Sequence, residues 1–233
     1  MARVIVVGSI NQDVTVTVDR FPAPGETLSG SSLTYGLGGK GANQAAAAAR
    51  SGIPTLIVGA VGTDLAGHSL RTHLAAHGVD VSHLREVDSP SGTALITVAA
   101  SGENTIILDT GANRASSIAH AKASLFPAPS DIVVLQAEIP PAANAAAIEW
   151  AHSFGARVLL NLAPARPIDP TTLSRVDILV VNETEAGLTL GMPAPATPME
   201  AIGVARALRG MGPRHVVVTL GAQGAAWASG AEA

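Results

Sequence analysis

Tyr35-Gly36-Leu37-Gly38-Gly39-Lys40-Gly41-Ala42-Asn43-Gln44 runs into an alanine-rich segment that ends at Arg50-Ser51-Gly52. Four glycines in six residues make a turn that lets backbone approach a ligand closely, because no β-carbon intervenes. Asn43 to Ser51 reads as helix, with Gly52 placed to stop it. The glycines then stand at a helix N-terminus, where free N–H groups and the helix dipole favour electron-rich oxygens. Lys40 adds a cation, and Asn43 adds both a donor and an acceptor.

Gly36-x-Gly38-x-x-Gly41 is formally a dinucleotide fingerprint, which belongs directly after the first buried strand of its fold. Here that strand is Val4–Val7, far upstream, and Gly8-Ser9-Ile10-Asn11 follows it instead. The segment before Gly36 reads as polar and turn-rich. A Walker A loop is excluded: no glycine stands five residues before Gly39-Lys40, and Gly41 follows the lysine where Ser or Thr is required.

Outward from this stretch, strand and helix patterns alternate. Arg3–Val7, Thr55–Val58, Asp131–Leu135, Arg157–Leu160, Asp177–Val181 and His215–Leu220 are short apolar runs suited to strands buried on both faces. Thr63-Asp64 caps a helix that ends near His77-Gly78, and Pro140-Pro141 opens another to about Ser153. Further helices fall at Glu183–Leu190 and Pro198–Arg209. This βαβ rhythm predicts an α/β body with a mostly parallel sheet.

Asp13–Asp19 differs, alternating Val with Thr or Asp, so one face is expected to be covered and the other wet. Thr93–Val98 and Thr105–Leu108, joined by Ser101-Gly102-Glu103-Asn104, read as a related hairpin. These strands predict a small separate sheet: a lid over the site, a plain edge extension or a dimer surface.

Open α/β sheets bind ligands beyond the carboxyl ends of their strands. Asn11 and Asp13 follow the first strand, Glu138 follows Ile132–Leu135, and Asn161 follows Val158–Leu160. Asn182, Glu183 and Glu185 follow Ile178–Val181, and Thr219, Gly221 and Gly224 lie at or after Val216–Val218. Polar groups at five strand ends fit one extended crevice for a hydroxyl-rich substrate and a phosphate-bearing one. Plainer roles are open to several of them. Asp13 can merely start a strand, Lys40 can be a solvated charge, and Asn182 with Glu185 can form a capping box.

Composition bounds the function. A net charge of −4 without a basic run argues against nucleic-acid or anionic-membrane binding. With 0 cysteines there is no disulfide, thiol nucleophile or thiolate metal site. No apolar run approaches the roughly 18 residues of a membrane helix, and the N-terminus has no signal-peptide pattern. A cytoplasmic chain is the expectation. The histidines show no metal spacing, and His68, His73 and His77 read as surface residues on one helix.

Gly8-Ser9-Ile10-Asn11-Gln12-Asp13, Pro24-Gly25-Glu26-Thr27, Gly38–Ala45, Gly111-Ala112-Asn113, Asn161–Ala165, Asn182–Ala186 and Thr219–Gly224 occur together in this order. Over essentially the whole chain they resemble the ribokinases among the PfkB-type carbohydrate kinases. The resemblance implies a three-layer α/β fold over residues 1–233, with a β lid formed by approximately 13–34 and 92–109. It implies transfer of the ATP γ-phosphoryl to a sugar hydroxymethyl, most simply the 5-hydroxyl of D-ribose to give ribose 5-phosphate.

Carried over motif by motif, Asn11 and Asp13 would hold sugar hydroxyls, and Gly38, Gly39, Lys40, Gly41 and Asn43 would line the same pocket. Glu138 would contact the sugar from the opposite side. Asn182, Thr219, Gly221 and Gly224 would border the nucleotide, and Glu185 would organise Mg²⁺ through water. The resemblance also implies a possible homodimer through the lid.

One family motif does not occur. The Gly-Ala-Gly-Asp or Ala-Ala-Gly-Asp segment, whose aspartate is the family's general base and whose N–H groups form an anion hole, is absent from these 233 residues. The last residue is Ala233, and the general-base aspartate is expected beyond it, so no residue here is a candidate for that role. The family's monovalent-cation loop belongs largely to the same region. The expectations are therefore a chain incomplete at its C-terminus, impaired in catalysis by itself, and with apolar sheet surface left uncovered. Two alternatives stand beside the ribose kinase: a non-catalytic sugar-binding or regulatory fragment, and a PfkB-type kinase for another sugar or nucleoside.

Overall fold

The computed structural model describes residues 2–230. Ala233, beyond which the general base is expected, lies outside the described residues. In chain order the elements are β1 (Val4–Val7), β2 (Asn11–Val18), β3 (Ser32–Gly38), α1 (Lys40–Arg50), β4 (Thr55–Gly62), α2 (Leu65–Ala76), β5 (Leu84–Val87), β6 (Gly92–Ala99) and β7 (Asn104–Asp109). A 3₁₀ turn at Gly111–Ala115 follows. Then come β8 (Ile132–Gln136), α3 (Pro141–Ser153), β9 (Arg157–Asn161), α4 (Pro170–Leu173), β10 (Ile178–Asn182), α5 (Glu183–Leu190), α6 (Pro198–Gly210), β11 (His215–Thr219) and β12 (Ala225–Ser229).

Eight strands form the main sheet in the order β12-β11-β10-β9-β8-β1-β4-β5. Each pair is parallel except β11 with β12. β1 is hydrogen-bonded on one side to β4 and on the other to β8, so the strand order reverses there. That reversal opens a crevice at the carboxyl end of β1. Helix starts follow their local chemistry. Asp64 accepts from Gly67 N at 2.8 Å to cap α2, and Pro141 opens α3 where its missing N–H costs nothing.

The core is built mainly from small and branched aliphatics. On one face of the sheet Val133, Leu135, Val158, Leu160, Leu179, Val181, Val216 and Val218 are buried in one cluster with residues of α3, α5 and α6. On the other, Ala42 and Ala45 of α1 and Leu70 and Leu74 of α2 join Val6 and Ile57 in a second cluster. That second cover does not reach across the sheet. Val180, Val217 and Trp227 pair in register on β10, β11 and β12, yet the two valines are only half-buried and Trp227 is half-exposed.

The second sheet has the order β3-β2-β6-β7. Its register puts Tyr35, Val14, Leu95 and Ile107 directly opposite one another, and Asp13 opposite Gly36 and Ala94. Adjacent positions alternate in face, so the Val14 row lies on the side away from Asp13. The expected covered face is only partly found. Tyr35, Leu95 and Ile107 are 64%, 52% and 70% exposed, and the cover on that side reaches only the root of the sheet, where Leu37 packs against the cluster of α1 and α2.

The glycine-rich stretch also differs from its sequence reading. Ser32–Gly38 is a strand paired with β2, not a polar turn, and α1 starts at Lys40 rather than Asn43. β5, α4 and β12 have no counterpart among the predicted elements. No helix among the described residues is long and apolar enough to cross a membrane.

Candidate active site

The site is built where β1, β8 and α1 meet. Ser9, buried in the β1–β2 link, donates from Oγ to Glu138 Oε2 at 2.6 Å and accepts from Gly41 N at 3.2 Å. Lys40 N donates to the same Glu138 oxygen at 2.9 Å, and Ala42 N donates to Ser9 O at 2.9 Å. A carboxylate at a helix N-terminus is favoured by the helix dipole. The first N–H groups of α1 are thus held by the protein's own oxygens. This corrects the expectation of a helix start free to bind a ligand oxygen: two of the partners lie on Ser9, and the third on Glu138 after a distant strand.

Gly41 permits this contact, since a β-carbon there would stand 2.6 Å from Ser9 N. Gly38 permits another: Asp13 packs its carboxylate into the space a side chain at 38 would fill. Burial, and then the nearby Glu138 charge, hold the Asp13 carboxyl above its usual range. Asn11 pairs with Gly38 in register and is buried. Gly39, with φ 86°, is the residue preceding α1 and lies against Asn11.

The structure therefore brings together Asn11, Asp13, Gly38, Gly39, Lys40, Gly41 and Glu138. Lys40 is half-buried and its ammonium forms none of the ion pairs among the described residues. Asn43 is one turn into α1 and exposed; its backbone N donates to Gly39 O at 2.9 Å, and its side chain makes no hydrogen bond among the described residues.

Sequence reasoning misses the supporting shell. Ser9 and Asn113 stand within the motifs without a role of their own. Gln136 donates to Gln44 Oε1 at 2.7 Å and accepts from Asn144 Nδ2 at 2.6 Å through its carbonyl, tying α1 and α3 to the end of β8. The signal available is polarity at a strand end, as for Asn161, which is paired with Gln136.

A second group of candidates lies along the same edge. Asn182 ends β10 opposite Thr219 of β11. Asn182 Oδ1 accepts from Glu185 N at 2.8 Å and Glu185 Oε2 accepts from Asn182 N at 2.9 Å, a complete capping box. The structural reading of this pair is therefore realised, leaving Asn182 Nδ2 and Glu185 Oε1 without protein partners among the described residues. Thr219, Gly221 and Gly224 are exposed around a 3₁₀ turn at Gly221–Gln223. β10 lies three strands from β1, a spacing of about 14 Å. His68 and His73 on α2 and His77 at its C-cap are exposed, and among the described residues no cluster of three or more His, Asp or Glu could hold a metal ion.

A model of the pfkB family of carbohydrate kinases matches residues 1–233. The chain belongs to this family. It is accordingly a kinase, a phosphotransferase with an alcohol acceptor. It is 38% identical over 221 residues to the ribokinase of Haemophilus influenzae, covering 94% of this chain and 72% of that protein. It is 35% identical to the deoxyribokinase of Salmonella typhi, covering 96% and 74%. The structure of Arabidopsis thaliana ribokinase complexed with ribose and ATP superposes with a TM-score of 0.89 at 33% identity, covering 100% of this chain and 77% of that one. The fold is the ribokinase-like α/β fold expected from the motifs.

Proposed function

We propose that this pfkB-family chain binds D-ribose beside Asp13 and ATP along the β10–β11 edge, for transfer of the γ-phosphoryl to the sugar 5-hydroxyl. The observation that carries it is the convergence of Asn11, Asp13 and Glu138 on the start of α1, at the point where strand order reverses. Likeness to ribokinases over nearly the whole chain supports the choice of sugar.

In this reading Asp13 accepts hydrogen bonds from sugar hydroxyls, and Glu138 offers Oε1, its Oε2 being committed to Ser9 and Lys40 N. The Lys40 ammonium stands at the same pocket. Asn182 Nδ2, Thr219 and the turn at Gly221–Gly224 border the nucleotide. One carboxylate oxygen of Glu185 is free beside that edge. A single carboxylate acting through water suits Mg²⁺, which keeps much of its hydration shell. Bound there with the nucleotide, the ion would offset phosphate charge. None of the described residues is assigned as the general base, so the reading is tested first on binding.

Calorimetry with D-ribose, 2-deoxy-D-ribose, fructose and adenosine is expected to give heat with ribose, lost in Asp13→Ala. Binding of deoxyribose or adenosine in its place moves the chain to another substrate of the family. No heat with any of the four rejects the sugar site.

A further inference from the structure

The 3₁₀ turn after β7 carries a buried amide to which the proposed chemistry gives no role. Asn113 is 0% exposed. Its Oδ1 accepts from Ile10 N at 2.9 Å, and its Nδ2 donates to Ile10 O at 3.1 Å and to Asn11 Oδ1 at 2.7 Å. Gly92, at the root of β6, closes the arrangement: a β-carbon there would overlap both Asn11 Oδ1 and Asn113 Nδ2.

The polarity of this relay is set by a group that cannot be reversed. A side-chain amide turned end over end keeps its shape and exchanges donor for acceptor. Ile10 N–H is only a donor, so the atom of Asn113 that meets it is oxygen. The other end of Asn113 is then NH₂ and requires acceptors. Asn11 meets it with Oδ1 and must turn its own NH₂ away. That NH₂ makes no hydrogen bond to the protein among the described residues, and it is not one of the sealed polar atoms that lack a partner. It is therefore not sealed, and Asn11 lies two residues from Asp13 on β2, on the same face of the strand.

We infer that Asn113 is a positioning residue that holds Asn11 as a hydrogen-bond donor toward the sugar pocket. Asp13, when ionised, only accepts. A hydroxyl placed between the two accepts from Asn11 and donates to Asp13, which neither an ether oxygen nor a deoxy carbon does. The identity of the ligand rests on the sugar-site reading above. The polarity of the two amides does not.

The test is proton–nitrogen NMR of the 233-residue chain together with ribose titrations. The Asn11 NH₂, assigned by its loss in Asn11→Ala, is expected to exchange freely with solvent and to shift when D-ribose is added. The Asn113 NH₂ is expected to be protected. In Asn113→Asp the Ile10 N–H keeps its acceptor while Ile10 O loses its donor, and Asn11 must turn its NH₂ toward the new carboxylate. That NH₂ becomes protected, and ribose affinity falls roughly 5- to 100-fold. Discrimination against the monodeoxy-ribose lacking the intervening hydroxyl disappears, while circular dichroism stays unchanged.

An Asn11 NH₂ that is protected in the unsubstituted chain overturns the inference. So does an Asn113→Asp chain that binds ribose and its deoxy analogues as before. If that variant does not fold, the exchange pattern of the unsubstituted chain decides alone. If the unsubstituted chain binds no sugar, the sugar reading fails, and the same exchange pattern still decides the amide polarity.

Discussion

Asp13 lies so close against Gly38 that a β-carbon on residue 38 would overlap its carboxylate. The two come from paired strands, β2 and β3, and the missing side chain on one makes the seat of the other. Gly38→Ala is therefore expected to displace the carboxylate while leaving the strands paired. Ribose affinity should fall at least about tenfold, in keeping with loss of a charged hydrogen-bonding group. The stability cost should stay within about 1–3 kcal/mol, as for overpacking elsewhere. Calorimetry and urea denaturation measure the two separately. Unchanged ribose affinity would remove Asp13 from the sugar site.

The raised carboxyl of Asp13 makes binding pH-dependent. Binding requires the ionised acceptor, so affinity should be lost as pH falls through a value above the ordinary aspartate range. Burial is the first cause and the Glu138 charge the second. Glu138→Gln removes only the second, so the acid limb should move to lower pH without returning fully to the ordinary value. The linked stability has the opposite sign from that of a salt-bridged carboxylate. A carboxyl whose folded pKa is raised destabilises the fold above that pKa, and the penalty fades as pH drops through it. Asp13→Asn should thus leave the melting temperature at pH 7 equal or higher while ribose binding is lost. A fall in melting temperature would mean that Asp13 supports the fold.

The parallel body was legible because its strands are short apolar runs and its helix starts are local. Asp64 and Pro141 act on their own first turns, within reach of any reading of neighbouring residues. What was not legible depends on partners far along the chain. Ser32–Gly38 is polar and glycine-rich, and becomes a strand only because β2 pairs with it. The N–H groups of α1 looked free because Glu138, the partner of Lys40 N, is 98 residues away. Asn113 stands 103 residues from the backbone it holds. Of the site itself, Asn11, Asp13 and Glu138 were visible as polar residues at strand ends. The groups that orient them were not, because burial and hydrogen bonding leave no periodic mark.

Glu185 has two separable tasks. Its Oε2 closes the capping box with Asn182 N, while Oε1 is the atom proposed to face hydrated Mg²⁺. Glutamine serves the capping box as well as glutamate does. Glu185→Gln should therefore keep stability within about 0.5 kcal/mol, but weaken the Mg²⁺-dependent part of ATP binding. Asn182→Ala should instead cost about 1 kcal/mol through the lost cap. Calorimetry with ATP, with and without Mg²⁺ or after chelation, tests the metal task. Equal Mg²⁺ dependence in Glu185→Gln and the unsubstituted chain would leave Glu185 with the cap alone.

The row Tyr35–Val14–Leu95–Ile107, exposed except at the half-buried Val14, faces away from Asp13. A contiguous apolar sheet face of this kind marks an interaction surface. Its aromatic and aliphatic side chains stand across all four strands, so a second copy turned by a two-fold axis meets the same row with the same row. Sedimentation is expected to show a concentration-dependent dimer, and Ile107→Asp to shift it toward monomer. Because Ile107 points away from the Asp13 side, ribose binding by the monomeric variant should persist, though weakened if pairing steadies the second sheet. A monomer at all concentrations in the unsubstituted chain would exclude self-pairing as the use of this face. Ribose binding lost in proportion to dimer would show that the sugar site is completed by pairing.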